Sequence, residues 1–296
     1  MTHVDFKTAL IRSCAGAQRK HMMQMAAALS YYFVLSLFPG LIVLSAALSY
    51  LPVPDLFSRT LAFIGRFLPN DTMGLVSRIL GDVISSDKRK FLSFGILATL
   101  WAASGGFAAI IETLNVAYEV DEDRPFWKTR SLAVLLAFIT GILMLLATAA
   151  LIVGPKFGSW LCGQVQLSGV YLVVWPYIQL SIAAAFAIIA VGTLYFVGPN
   201  IKQRFRTTLP GAVLAVCCWL GLSSGLGIYF HHFGTYNKTY GTLGAAIALM
   251  VWLDLTGLAM LAGAEFNAQL NKLSKERELP LRKSEARSVA RIRRVV

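Results

Sequence analysis

Charge is what this sequence has least of. Only 14% of its 296 residues are charged, against about 25% in soluble domains. Acidic side chains are the scarcer sign, 15 against 27 Lys and Arg. With 56% hydrophobic residues and a mean hydropathy of +0.64, the chain has too little polar surface to coat a soluble fold, and no stretch is left over for a large extramembrane enzyme domain. Cysteine is sparse as well. Cys14, Cys162, Cys217 and Cys218 show no CxxC spacing, so neither a disulfide framework nor a zinc site is implied. The sequence has no nucleophile elbow, no HExxH and no P-loop. The acidic run Glu119, Asp121, Glu122, Asp123 lacks the glycine and regular alternation of a calcium loop. We therefore expect no catalytic residue, no metal, no cofactor and no enzyme.

What the chain does have is long apolar runs. A helix crosses the hydrocarbon with about 20 mostly apolar residues, and runs of that length fall at about 26–51, 91–112, 131–154, 170–197, 209–230 and 243–268. The expected fold class is an all-α membrane protein of six transmembrane helices. A head of residues 1–25, amphipathic and basic, precedes a transmembrane domain of 26–268, and a basic tail, 269–296, follows it. In the first outer loop, 52–90, Leu61, Ile64, Phe67 and Leu68, then Val76, Ile79, Leu80 and Val83, recur at helical spacing. Two short amphipathic helices at the outer interface are expected there, turning at Pro69-Asn70-Asp71.

Six crossings put both termini on one side, and the cations say which. The head, the second and fourth connections and the tail together carry 19 of the 27 Lys and Arg, the other connections 8. This asymmetry predicts cytoplasmic termini in a bacterial inner membrane. The net charge of +12 then faces an anionic leaflet. Lys272, Lys275, Arg291, Arg293 and Arg294 of the tail are candidate lipid-surface residues, in a segment expected to be solvated and partly disordered. Nucleic acid is not an expected partner, because no aromatic residues interleave the charges. The expected partners are anionic lipids of the cytoplasmic leaflet, an unidentified small solute and a second copy in a homo-oligomer.

Ionisable groups inside an apolar run are functional candidates by default. Asp254 lies near the middle of the sixth run. Glu265 follows 11 residues later, close to the same helical face, with an interfacial pair to Arg130 or Lys128 as its plain structural reading. Trp101, Gly105, Ala108, Glu112 and Asn115 form a second stripe at 4-3-4-3 spacing. Pro39 predicts a kink or break within the first run. Asp254, Glu265, Glu112, Asn115, Asn267 and Pro39 are thus the candidate cavity residues. Gly221, Gly225 and Gly244 are candidates for close helix packing. His231 and His232 are adjacent and make a poor metal pair.

Several segments together resemble the YihY/virulence factor BrkB family of bacterial inner-membrane proteins. They are Ala27-Ala28-Leu29-Ser30-Tyr31-Tyr32 leading into Leu37-Phe38-Pro39, Leu114-Asn115 with Ala117-Tyr118, Arg124-Pro125-Phe126-Trp127, Pro210-Gly211-Ala212, Tyr240-Gly241-Thr242-Leu243-Gly244-Ala245 and Gly263-Ala264-Glu265-Phe266-Asn267-Ala268. The resemblance reaches from the head to about residue 271. It implies a six-helix inner-membrane fold with cytoplasmic termini, links to envelope traits and resistance to host killing, and transport or export as a suggested activity. Some members once carried a ribonuclease BN label, for which this sequence offers no chemistry. The family more often has Tyr or another uncharged residue where Asp254 stands, which marks that acid as local to this chain. A non-ATP-driven transporter, exporter or channel for a polar, cationic or zwitterionic solute or lipid is the leading expectation. An envelope-organising or virulence-associated interaction protein is the alternative, and a membrane-bound enzyme comes last.

Overall fold

Long apolar stretches satisfy their backbone groups most simply as helices, and the described chain is helical nearly throughout. The structure, a computed structural model, describes residues 3–49, 89–165, 168–232 and 236–292. The helices are α1 (His3–Arg19), α2 (Met22–Ser49), α3 (Arg89–Tyr118), α4 (Phe126–Val165), α5 (Ser168–Val197), α6 (Phe205–His232) and α7 (Tyr236–Ile292). No strand occurs among the described residues. Four segments are long and apolar enough to cross a membrane: Phe126–Pro155, Val174–Val197, Phe205–Tyr229 and Ala246–Glu276, with a shorter apolar stretch at Met22–Leu37. The two amphipathic helices expected in 52–90 lie outside the described residues.

Helices α2 to α7 pack in a closed ring, each on the next and α7 back on α2, while α3 also meets α7 and α1 lies against α7 and α2. The described core gathers at one end of this ring. Met22, Ala26 and Leu29 of α2 meet Ile111, Leu114 and Ala117 of α3, Leu136 of α4, Tyr195 of α5, Ala212 and Ala215 of α6, and Leu261, Ala264 and Ala268 of α7. Small residues let backbones approach where only van der Waals contact holds apolar helices together. The closest such approach is between α6 and α7. A Cβ on Gly211 would stand 2.2 Å from the Gly263 carbonyl oxygen, and one on Gly263 would stand 2.3 Å from that of Gly211. The buried Tyr195 hydroxyl donates to the Met260 carbonyl oxygen beside this crossing.

Three sequence expectations change here. Around Gly221 and Gly225 an added Cβ meets nothing within 4 Å among the described residues, and the tight α6–α7 contact there is at Gly211 and Gly263; Gly244 lies within α7, its surroundings outside the described residues. Helix α2 runs through Pro39 from Met22 to Ser49 without interruption, so no break divides it. The basic tail continues α7 as helix to Ile292, and the buried Gln269 and Leu270 belong to the bundle. Its Lys, Glu, Leu and Arg are good helix formers, a property distinct from the apolarity used to bound the span.

Gly263→Ala forces two backbones apart and should lower stability by roughly 1–3 kcal/mol, read as a fall in the thermal unfolding midpoint in detergent. Gly221→Ala, which adds a methyl to open space and favours helix by up to about 1 kcal/mol, should leave the midpoint unchanged or raise it.

Candidate functional site

A lysine next to an apolar helix must hold its ammonium where it can be solvated or paired. Lys20 stands at the corner between α1 and α2, where His21 takes the left-handed conformation with φ 51° and the Lys20 amide donates to the Gly16 carbonyl at 2.9 Å. That turn carries the ammonium inward. It donates to Glu265 Oε2 at 2.6 Å and to the Ala117 carbonyl at the end of α3 at 2.6 Å, and pairs with Glu119 Oε1 at 3.0 Å. The Glu265 side chain is 0% exposed and that of Lys20 11%. Gln269 Nε2 donates to the other Glu265 oxygen at 2.6 Å, so the buried carboxylate is bonded on both sides. Gly16 makes room for it, since a Cβ there would lie 2.0 Å from Glu265 Oε1.

Glu119 passes the network outward. It follows α3 at φ 55°, a helix-ending conformation usually given to glycine, and its second oxygen accepts from Lys272 of α7 at 2.7 Å. Lys272 and Lys20 hold its carboxyl well below the usual carboxylate range, at about 2. Its side chain is 48% exposed, so solvent screening keeps the energetic value of these contacts small. Both left-handed non-glycine residues thus sit directly beside the charges that the corner and the cap position.

A second network ties two connections together at the same end. Asn115, buried on α3, donates to Glu122 Oε2 at 2.7 Å and accepts the Asn200 backbone amide at 2.8 Å. Arg124 binds Glu122 through Nε and an η nitrogen, both at 2.6 Å, and donates to the Gly198 carbonyl at 2.8 Å. The Arg124 guanidinium, with Asn115, lowers the Glu122 carboxyl from its ordinary value. Asn267, fully buried, accepts from the Gly211 amide at 2.8 Å and donates to the Thr208 carbonyl at 2.9 Å. It thereby clamps α7 to the early turns of α6, on either side of Pro210. A shallow recess of about 390 Å³, lined by Arg19, Lys20, Asn115, Glu119 and Asp121 among others, opens between the two networks.

The structure therefore brings Glu265, Asn267 and Asn115 to one end of the ring but leaves Glu112 exposed on α3. The partner of Glu265 is Lys20, not Arg130 or Lys128. Arg130 lies instead against Trp101, its guanidinium carbon 4.4 Å from the ring centre. Asp254 stands apart, half-buried, with Oδ1 inaccessible and without a hydrogen-bond partner among the described residues. Pro39 is half-buried in α2. In the tail, Lys272 is engaged by Glu119 while Lys275 is exposed; the side chain of Arg291, and Arg293 and Arg294, lie outside the described residues, as do the His231 and His232 side chains. Lys20, Gln269 and Gly16 escaped sequence reasoning. The available signal was that an acid at the end of one apolar run needs a cation at the same level, and Lys20 lies six residues before the first run.

The family model for virulence factor BrkB matches residues 13–288. The chain belongs to the BrkB family. Among BrkB-family relatives, a ribonuclease-like protein, YfkH, of Bacillus subtilis strain 168 is 35% identical over 84% of this chain and 90% of its own length. A UPF0761 membrane protein of Tolumonas auensis is 31% identical over 88% of this chain and 84% of its own. Another, from Stenotrophomonas maltophilia strain R551-3, is 26% identical over 84% of this chain and 57% of its own. No solved structure matches.

Two outcomes follow for this BrkB-family site. Lys20→Met strands a buried carboxylate and should cost roughly 3–5 kcal/mol, with Lys20→Met/Glu265→Met recovering part of the loss in thermal unfolding. Because the folded-state pKa of Glu119 is depressed, to about 2, its contribution is fully present above the unfolded glutamate value of about 4.3 and is lost as pH falls toward the folded one. Unfolding midpoints of the wild type and Glu119→Gln should differ at pH 7 and converge on acidification through that window.

Proposed function

We propose that this BrkB-family protein moves a polar, cationic or zwitterionic solute or lipid across the bacterial inner membrane without ATP, along a path enclosed by α2 to α7. In this reading α2 and α3, of 28 and 30 residues, add two crossings to the four apolar segments. The end bearing α1 and the two networks then faces the cytoplasm, following the cation asymmetry. The protein acts as a carrier or channel and not as an enzyme.

The observation that carries the reading is the Asp254 carboxyl, whose Oδ1 is sealed from solvent with no hydrogen-bond partner among the described residues. An acid so placed in an apolar helix is costly, and a passing cation or proton would supply what it lacks. Its helical position is close to the face of Glu265, about 16 Å away along α7 at 1.5 Å per residue. Nearby on that side, Gly257 packs on Ala26 and Leu29 of α2. The Lys20–Glu265 pair supports the role of a closed inner gate. The helical continuation of α7 to Ile292 favours a second reading, in which that projection docks envelope partners and no solute moves.

In proteoliposomes carrying choline or potassium gradients, Asp254→Asn should reduce flux to the level of empty liposomes while helicity and unfolding midpoint stay unchanged. Flux that is equal in the variant contradicts the path. A full loss of cellular function on removing residues 277–296, with Asp254→Asn normal, supports the docking reading instead.

A further inference from the structure

Where α3 meets α4 the structure collects aromatic rings and cations on the outside of the bundle. Trp101 lies far back from the end of α3, yet its ring centre is 6.4 Å from that of Phe126 and 6.1 Å from that of Trp127 in the first turn of α4. The two helices therefore meet at the start of α4 instead of pairing end to end. Phe126 and Trp127 are 65% and 71% exposed, and they open the apolar segment Phe126–Pro155. That is where amphipathic rings mark the boundary between hydrocarbon and headgroups.

The cations beside them are available for a ligand. Arg130 is fixed over the Trp101 ring and donates to the Trp101 carbonyl oxygen. Its Nε and the neighbouring Thr129 hydroxyl are buried and have no hydrogen-bond partner among the described residues. Lys128 is exposed and forms no ion pair among the described residues. At the far end of α3, about 24 Å along the helix from Trp101 at 1.5 Å per residue, Lys20, Arg124 and Lys272 are by contrast each held by carboxylates.

We propose that this corner is a binding site for an anionic phospholipid. The phosphate headgroup sits between the exposed Lys128 ammonium and the Arg130 guanidinium, and the acyl chains lie along the exposed faces of Phe126 and Trp127. Charge complementarity and the position at the start of an apolar segment select a lipid as the occupant. A soluble anion would use the cations and leave the rings bare. The site fixes the depth of α4, and it stands whether or not the chain moves a solute.

Native mass spectrometry of the full-length protein, carrying either phosphatidylglycerol or phosphatidylcholine from mixed micelles, tests this. The wild type should retain phosphatidylglycerol preferentially. Lys128→Gln and Arg130→Gln should each weaken that retention about fivefold, the effect of removing one cation at an anionic surface, with circular dichroism unchanged. Lys128→Gln alters only an exposed side chain and serves as the variant free of folding effects. Trp127→Ala should also weaken retention, and glycerol phosphate should not compete. Preference that survives both cation variants, that disappears instead with Lys275→Gln, or that glycerol phosphate displaces would overturn the proposal.

Discussion

A buried carboxylate in an apolar bundle is the constraint around which this end of the protein is built. A buried carboxylate without a partner is costly, and the partner of Glu265 comes from another part of the chain. Lys20 reaches it only because α1 and α2 turn sharply at His21, because Gly16 leaves space, and because Gln269 occupies the remaining oxygen. Each is a requirement on a different segment. The pair therefore joins the head, α2 and α7, and through the Ala117 carbonyl and Glu119 it joins α3 as well. Burial of such a pair adds little net stability against an apolar substitute. What it fixes is an arrangement: this docking of α1 gives the buried carboxylate its cation.

The remaining polar groups at this end do similar work with neutral partners. Asn115 binds a backbone amide in the connection before α6, and Asn267 binds two backbone groups in the early turns of α6. This lets polar backbone be packed among apolar helices without an unsatisfied group. The same end is also where backbones approach most closely, at Gly211 and Gly263. Towards the other end, the described faces of α4, α6 and α7 are more exposed, and it is there that Asp254 lies. The bundle is tightly packed at one end and looser around an acid whose Oδ1 has no hydrogen-bond partner among the described residues.

Much of this was legible in the sequence, and what was not has specific causes. Apolar run length marks helices, so α4, α5, α6 and α7 were readable, and the grouping of cations anticipated that head, connections and tail lie together. Lys20 and Glu265 are 245 residues apart, and nothing local to either names the other. Spacing of small residues occurs both at Gly221 and Gly225 and at Gly211, Ala215, Ala259 and Gly263, and only packing decides which set meets a neighbour. The tail was underestimated because apolarity measures burial, whereas helix formation there follows propensity. The period of Trp101 puts it on one face of α3 but does not say what that face meets.

We propose that the ring is closed at the Lys20–Glu265 end, and that opening of the path brings water to the otherwise sealed Asp254 carboxyl from the opposite side. Single cysteines at positions 254 and 265 in a cysteine-free background, probed with a membrane-impermeant thiol reagent added to right-side-out or inside-out vesicles, test it most directly. Labelling at 254 only from the side opposite the head, with none at 265 from either side, is expected. Labelling of 254 from the head side, or from neither side, would contradict it.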